Sequence, residues 1–233
     1  MSKAYRRYQI ILTIISVIII GILSFLFIND DSKPLFNNKE TNETSEFLAI
    51  DELEKLEIKK HHSSSKYIRN EFGSGWSKWS DCDTRQKILS RDLINISYNK
   101  DNCTVLKGDL NDPYTGKIIN FVRGVGTSTA VQIDHVVALS NAWNTGASYW
   151  DKSRRIEFAN DGLELLAVDG PSNNQKSAKD ASMWLPSNTD FRCQYVARQI
   201  AIKVKYILWV TQDEYKAMKN VLQTCPTQLI PEA

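Results

Sequence analysis

Two common hydrolase signatures are missing from this chain. It contains no Gly-x-Ser-x-Gly and no His-Glu-x-x-His, so neither an α/β-hydrolase serine nor a common zinc-peptidase centre is supported. Histidine is scarce: of three, His61, His62 and His135, only the last lies beyond the first third of the chain. A multi-histidine zinc site therefore has no material there. The four cysteines, Cys82, Cys103, Cys193 and Cys225, form no Cys-x-x-Cys pair, which argues against a zinc knuckle. No internal repeat occurs. A large excess of one charge is absent too, since the formal net charge is +2. From Phe72 onward nineteen Lys and Arg stand against seventeen Asp and Glu. A tight, non-catalytic binder of nucleic acid usually carries a global basic footprint. A catalyst acting on the same polymer needs only a local groove.

What is present begins with a long apolar run. After Lys3, Arg6 and Arg7 in residues 1–9, Ile10 to Ile28 is nineteen residues without a charge, followed by Asp30 and Asp31. A bilayer-crossing helix needs about 17–25 apolar residues. The flanking charges predict a cytoplasmic N-terminus with the remainder outside. The rival reading is a cleaved signal peptide, although no small-x-small site follows Ile28. An even cysteine count fits two disulfides in an oxidising compartment. Of three possible connectivities, the nearest-neighbour one pairs Cys82 with Cys103 and Cys193 with Cys225.

Residues 29–66 read as a polar stalk, within which Phe47, Ile50, Leu53 and Leu56 recur every three residues. A solvated linker helix is the expectation there, with packing on the domain as the alternative. His61-His62 reads as loop. Residues 67–226 form the expected domain, with 227–233 as a tail. Helices are predicted over Thr84–Leu93, Phe191–Leu208 and Asp213–Leu222, and strands over Cys103–Leu110 and Lys117–Arg123. Tyr114 in the turn Asp112-Pro113-Tyr114-Thr115-Gly116 reads as local packing. Arg198, Lys203 and Lys205 read as surface cations that could guide a phosphate backbone.

The chemistry gathers in Val131-Gln132-Ile133-Asp134-His135-Val136-Val137 and in Ser172-Asn173-Asn174-Gln175-Lys176. Ala130 to Val137 and Leu163 to Val168 read as two strands around a helical insertion at about residues 140–160, and Ser172 or Asn173 as the start of a helix. An Asp carboxylate and an Asn amide oxygen suit a hard divalent cation. A His beside them can take a proton from water. Neighbours on a regular strand face opposite ways. Asp134 and His135 can therefore share a site only if the strand ends near Asp134.

At these residues the chain resembles the HNH nucleases, whose core is a ββα-metal unit. Phe72-Gly73-Ser74-Gly75-Trp76, Asp112-Pro113-Tyr114-Thr115-Gly116, Asp169-Gly170-Pro171-Ser172-Asn173 and Trp184-Leu185-Pro186 are similar to segments of the bacterial extracytoplasmic HNH endonucleases. The resemblance spans about Tyr67 to Cys225. It implies an α+β, disulfide-bonded domain with Asp134 and Asn173 as ligands of one Mg²⁺ or Mn²⁺ and His135 as general base. Lys176 would face the scissile phosphate at the helix N-terminus, with Lys179 nearby. Glu164 stands where the family carries its middle Asn, which braces the loop bearing the base. A carboxylate can accept such bonds but cannot donate an amide proton. The expected activity is hydrolysis of phosphodiester bonds in DNA, and possibly RNA, by a membrane-anchored enzyme. The sequence leaves its oligomeric state open. The alternatives are a surface module binding nucleic acid or a wall component through a decayed site, and a different hydrolase built on His135.

Overall fold

The structure, a computed structural model, describes residues 47–80 and 82–231. The expected anchor at 10–28 and the first part of the stalk lie outside the described residues. Among those described, no helix is long and apolar enough to cross a membrane.

Residues 47–66, expected as stalk, belong to the fold. Helix α1 (Ala49–Lys55) buries Ala49 and Leu53 completely, with Leu56 just behind. Leu48 bridges antiparallel to Leu229, and Ile58 runs parallel to Val210. The Ile230 amide donates to the Phe47 carbonyl, so the expected tail is drawn in as well. The apolar spacing that suggested a linker helix is the spacing of a one-sided core helix.

A short pair, β1 (Lys78–Trp79) and β2 (Cys82–Asp83), leads into α2 (Thr84–Asp92), whose N-cap Asp83 accepts from the Gln86 amide. Three antiparallel strands follow, β3 (Leu93–Tyr98), β4 (Val105–Asn111) and β5 (Ile118–Val122), with β4 in the middle. Strand β3 is not among those expected from the sequence, although Ile94, Ile96 and Tyr98 alternate along it; Asn95 interrupts it with a left-handed backbone and the register shifts after Ile94. Then come β6 (Val131–His135), α3 (Leu139–Asn144), α4 (Lys152–Asn160), β7 (Leu165–Asp169) and α5 (Gly170–Lys176). Two longer helices close the chain, α6 (Arg192–Tyr206) and α7 (Gln212–Leu222). The whole is a mixed α+β arrangement with disulfides Cys82–Cys103 and Cys193–Cys225.

The antiparallel β6–β7 hairpin sits between two apolar clusters. Val131, Ile133, Leu165 and Ala167 face α2 and the three-stranded sheet. Leu166 and Val168 face the helical cluster of α1, α3, α4, α6 and α7. Both faces of β7 are thus buried, which is why its apolar run carries no alternation. Its free edge is paired by side chains: Asp92 accepts from the Ala167 amide and Asp112 from the Asp169 amide, both at 2.8 Å. Those bonds satisfy backbone groups that would otherwise be buried unpaired.

Candidate active site

The ladder between β6 and β7 continues through Asp134↔Leu166 and His135↔Leu165, and the Val136 amide still reaches the Glu164 carbonyl. The strand therefore does not end at Asp134, as expected, but continues to His135. Pleating sends the two side chains to opposite faces. Asp134 lies on the helical side and His135 on the side of Val131 and Ile133, so the two do not converge on one point.

His135 is buried, and its Nε2–H donates to the Ala159 carbonyl oxygen at 3.0 Å. A carbonyl only accepts, so the lone pair of the neutral ring is on Nδ1. The Trp76 indole stacks on the imidazole, with 5.6 Å between ring centroids and 12° between planes. Burial depresses the His135 pKa from 6.5 to about 3, against an opposing contribution from the Ala159 carbonyl; the positive charges of Arg69 and Lys176 push the same way as burial. The ring is neutral at physiological pH. It lines a cleft of about 230 Å³ with Arg69, Asn70, Trp76 and the backbone of Gly73–Ser74–Gly75. Gly73 has φ +102°, a backbone region that side-chain-bearing residues rarely occupy. A larger hollow of about 490 Å³ beside Asp92, Phe191 and Arg198 contains neither Asp134 nor His135.

On the other face, Asp134 is 4% exposed. Its Oδ1 accepts from the Lys176 ammonium at 2.9 Å and its Oδ2 from the Tyr114 hydroxyl at 2.5 Å. Burial still raises the Asp134 pKa, outweighing the Lys176 charge and both hydrogen bonds. Tyr114 reaches this point because Asp112 Oδ2 accepts from Thr115, in its amide and its hydroxyl, and holds the turn against β7. Its aromatic character suggested packing, and it does pack against Trp184 and Tyr195. Its hydroxyl contact to Asp134 had no sequence signal.

Lys176 departs most from expectation. It is fully buried at the last position of α5 and faces inward, with Nζ also 2.8 Å from the His135 carbonyl. It is not placed toward an external phosphate. The helix begins at Gly170, ahead of the expected Ser172 or Asn173, and its N-cap Asp169 accepts from the Ser172 amide and hydroxyl. A carboxylate at that end opposes the anion site expected there. Asn173 lies mid-helix and donates through Nδ2 to Gln132 Oε1 at 2.9 Å. Lys179 is exposed and donates to the Gln175 carbonyl. Arg198 donates to the Leu163 carbonyl, Lys203 is buried against Glu214 and Asn141, and Lys205 pairs with Asp161. These three serve packing in this structure.

Glu164 takes the bracing position with acceptor bonds. Its Oε2 accepts from the Val137 amide at 3.2 Å, while the buried Oε1 has no partner. Burial raises its pKa well above the ordinary carboxylate range, with the Asp134 and Asp161 charges adding to the effect against the Val137 bond and Lys176. Glu164 thus accepts from the segment after the base and donates to no neighbour.

The donor set does not suit a hard cation in this arrangement, since Lys176 and Tyr114 take both oxygens of Asp134 and Gln132 holds Asn173. Two buried carboxyl groups, Asp134 and Glu164, feel one ammonium, Lys176, and one carboxyl oxygen is orphaned. The Asn173 amide oxygen lies one helical turn from Lys176 on an element packed against β6. Among the described residues no three His, Cys, Asp or Glu side chains gather to hold a metal ion. A metal here would thus have to rest on one carboxylate and one amide that the fold already holds.

A family model for the C-terminal domain of GmrSD restriction endonucleases matches residues 83–221. An uncharacterised secreted protein of the fungus Arthroderma benhamiae is 33% identical over 172 residues, covering 73% of this chain and 81% of the relative. No solved structure matches. The match includes Asp134, His135, Glu164, Asn173 and Lys176 but not Arg69 or Trp76, so part of the cleft wall is contributed from outside it. With the matched region covering more than half of its length, the chain belongs to the family of the GmrSD restriction endonuclease C-terminal domain.

Proposed function

We propose that this protein is an HNH-type endonuclease that hydrolyses phosphodiester bonds of DNA outside the cytoplasm, with His135 as general base. The nuclease class rests on the family; the extracellular setting rests on the two disulfides and the secreted relative. The observation that carries the mechanism is the state of His135: neutral, held through Nε2 by the Ala159 carbonyl, and opening on a cleft with Arg69.

In this reading Nδ1 of His135 takes a proton from the attacking water. Arg69 and the Gly73–Gly75 backbone offset the charge of the phosphate in the cleft. Asp134 and Asn173, the expected ligands of one Mg²⁺ or Mn²⁺, do not fit that role in this arrangement: Asp134 lies on the other face of β6 from His135 and is held by Lys176 and Tyr114, and Asn173 is held by Gln132. Glu164 accepts from the Val137 amide and so fixes the segment that follows the base. The products implied are a 5′-phosphate and a 3′-hydroxyl.

The full chain, disulfides intact, is to be incubated with supercoiled plasmid in Mg²⁺, Mn²⁺ or EDTA beside His135→Ala. Removing a general base costs about 10²–10⁴-fold in rate. Nicking should fall by that factor in the variant, with the circular dichroism spectrum unchanged, and the EDTA lanes report whether a metal is required. Near-wild-type cleavage by His135→Ala would overturn the mechanism. An intact plasmid and intact RNA in every lane would favour a binding module.

A further inference from the structure

Residues 58–70 carry four cations, Lys59, Lys60, Lys66 and Arg69, together with His61 and His62, and no Asp or Glu. Such a run is ordinarily a solvated loop of no fixed shape. Here its backbone is tied to the domain along most of its length. The Lys59 amide donates to the Val210 carbonyl at 2.9 Å, and the Val210 amide to the Glu57 carbonyl at 3.0 Å. The Trp209 indole donates to the Lys60 carbonyl at 3.1 Å, and the His62 amide to the Asn144 carbonyl at 2.9 Å. Ser64 donates to Ser148 through both its amide and its hydroxyl, and the Trp143 indole donates to the Ser65 carbonyl at 2.8 Å. The chain then enters the short helical turn Arg69–Phe72, where Arg69 lines the His135 cleft.

With the backbone held by the fold, the charged side chains are left to solvent, and all four cations are exposed. Lys59 pairs with Glu57 and lies over the Trp209 ring. Among the described residues, Lys60, Lys66 and Arg69 pair with no carboxylate. The acid that follows the run, Glu71, is engaged by Arg155. The surfaces beneath add no opposing charge: Val136–Trp150 and Tyr206–Gln212, to which the strap is bonded, contain no Asp or Glu. The four cations therefore form a local basic surface in a molecule that has no global one, and that surface ends at the cleft.

We propose that the strap at residues 58–70 is a nucleic-acid track, which holds the phosphate backbone of DNA and leads it to the His135 cleft. The inference rests on the nuclease reading, which makes that cleft the place where a phosphate must arrive. Ten residue steps separate Lys59 from Arg69, at most about 35 Å of extended chain. Base pairs rise by about 3.4 Å, so the track spans about ten of them at most. Backbone contacts of this kind fix the register of a strand without reading its sequence. The track lies wholly outside the matched residues 83–221. It is an addition of this chain's N-terminal part to the family domain.

The test compares the full-length chain, disulfides intact, with Lys59→Gln/Lys60→Gln/Lys66→Gln. A control, Lys100→Gln/Lys107→Gln/Lys117→Gln, removes the same charge from exposed positions on and beside the three-stranded sheet. Binding of a fluorescent duplex of about 30 base pairs is read by anisotropy across salt concentrations, in a His135→Ala background so that the duplex survives. The track requires binding by the strap variant about tenfold weaker or more near 0.1 M salt. It also requires a log–log salt slope shallower by about 2–3, since each phosphate contact contributes about 0.9. With His135 present, KM for the duplex should rise, while kcat and the cleavage of a tetranucleotide that fills only the cleft stay at wild-type values. The control should match wild type throughout. An unchanged slope in the strap variant, or an equal loss in the control, overturns the track. Binding to anionic phospholipid vesicles but not to the duplex, lost in the strap variant, overturns it in favour of a membrane contact. Failure of the nuclease reading would appear separately, as absent nicking by wild type while the salt slope still responds to the strap.

Discussion

At His135, two contacts with different consequences set the behaviour of the ring. The Ala159 carbonyl fixes which nitrogen carries the proton, and the Trp76 face shields the imidazole from water. Because its folded pKa of about 3 lies below the ordinary 6.5, the native state binds fewer protons than the unfolded one. The stability linked to this ring is complete above pH 6.5 and is lost as pH falls toward 3. Cleavage should therefore show no His135 acid limb near pH 6. Trp76→Ala, by admitting water, should move that limb up toward 6.5 in a pH–rate profile, whereas Trp76→Phe should restore it. A profile unchanged in Trp76→Ala would remove the indole from this role. Glu164 has the opposite linkage. Its folded pKa is raised, so stability is complete below the ordinary carboxylate pKa and declines as pH rises above it. Glu164→Gln should match wild type near pH 4 and exceed it at pH 7.5 in urea titrations. A loss at pH 7.5 would show that the acid itself is required.

Among the elements, α1 shows how a weak signal becomes structural once a partner surface exists. Its apolar residues are too few for independent stability, and a seven-residue helix is marginal alone. Against α6 and α7 it covers Ala49 and Leu53 completely. Burying one leucine contributes about 2 kcal/mol. A chain beginning at Ser65, which loses Ala49, Leu53 and Leu56, should melt about 10 °C below one beginning at Ser45. Equal midpoints would show α1 to be dispensable. The β6–β7 hairpin teaches the complementary lesson. Val131, Ile133 and the run Leu165–Val168 were legible as strands, and so were the limits of α2, α6 and α7 to within a residue or two. The extent of β6 was not, because the ladder reaches His135 only through its pairing with Leu165. Likewise the start of α5 depends on Asp169 as its cap. Gly170 there passes so close to the Thr129 carbonyl that an added Cβ would lie 2.1 Å from it.

For the molecule as a whole, the two disulfides cross-link segments distant in the chain. Cys82–Cys103 closes a separation of 21 residues beside the three-stranded sheet, and Cys193–Cys225 closes 32 across α6 and α7. Loop closure of this size stabilises by about 3–4 kcal/mol each in the chain-entropy account. Cys193→Ala/Cys225→Ala should lower the thermal midpoint by about 10 °C, while wild type under a strong reductant should lose more. A midpoint indifferent to reduction would argue against an oxidising compartment as the working environment. The near balance of charge fits a protein whose cations are spent internally: Lys176, Lys203, Arg155 and Arg198 all bind within the fold. Arg69 at the His135 cleft supplies the local positive charge that the global balance does not.

Residue type and spacing laid out most of the helices and strands and favoured the nearest-neighbour cysteine pairing, while the resemblance to the HNH nucleases implied the α+β class. Those properties are local: periodicity, turn residues and a dipeptide between apolar neighbours survive in one dimension. Which groups meet was decided only by the tertiary structure. Pleating separates Asp134 from His135, α5 carries Lys176 inward to the carboxylate, and the Asp112 turn delivers Tyr114 to its other oxygen. Each contact joins residues far apart in the chain, and each is set by burial. A lysine reads as a surface cation until the fold places a buried carboxylate against it.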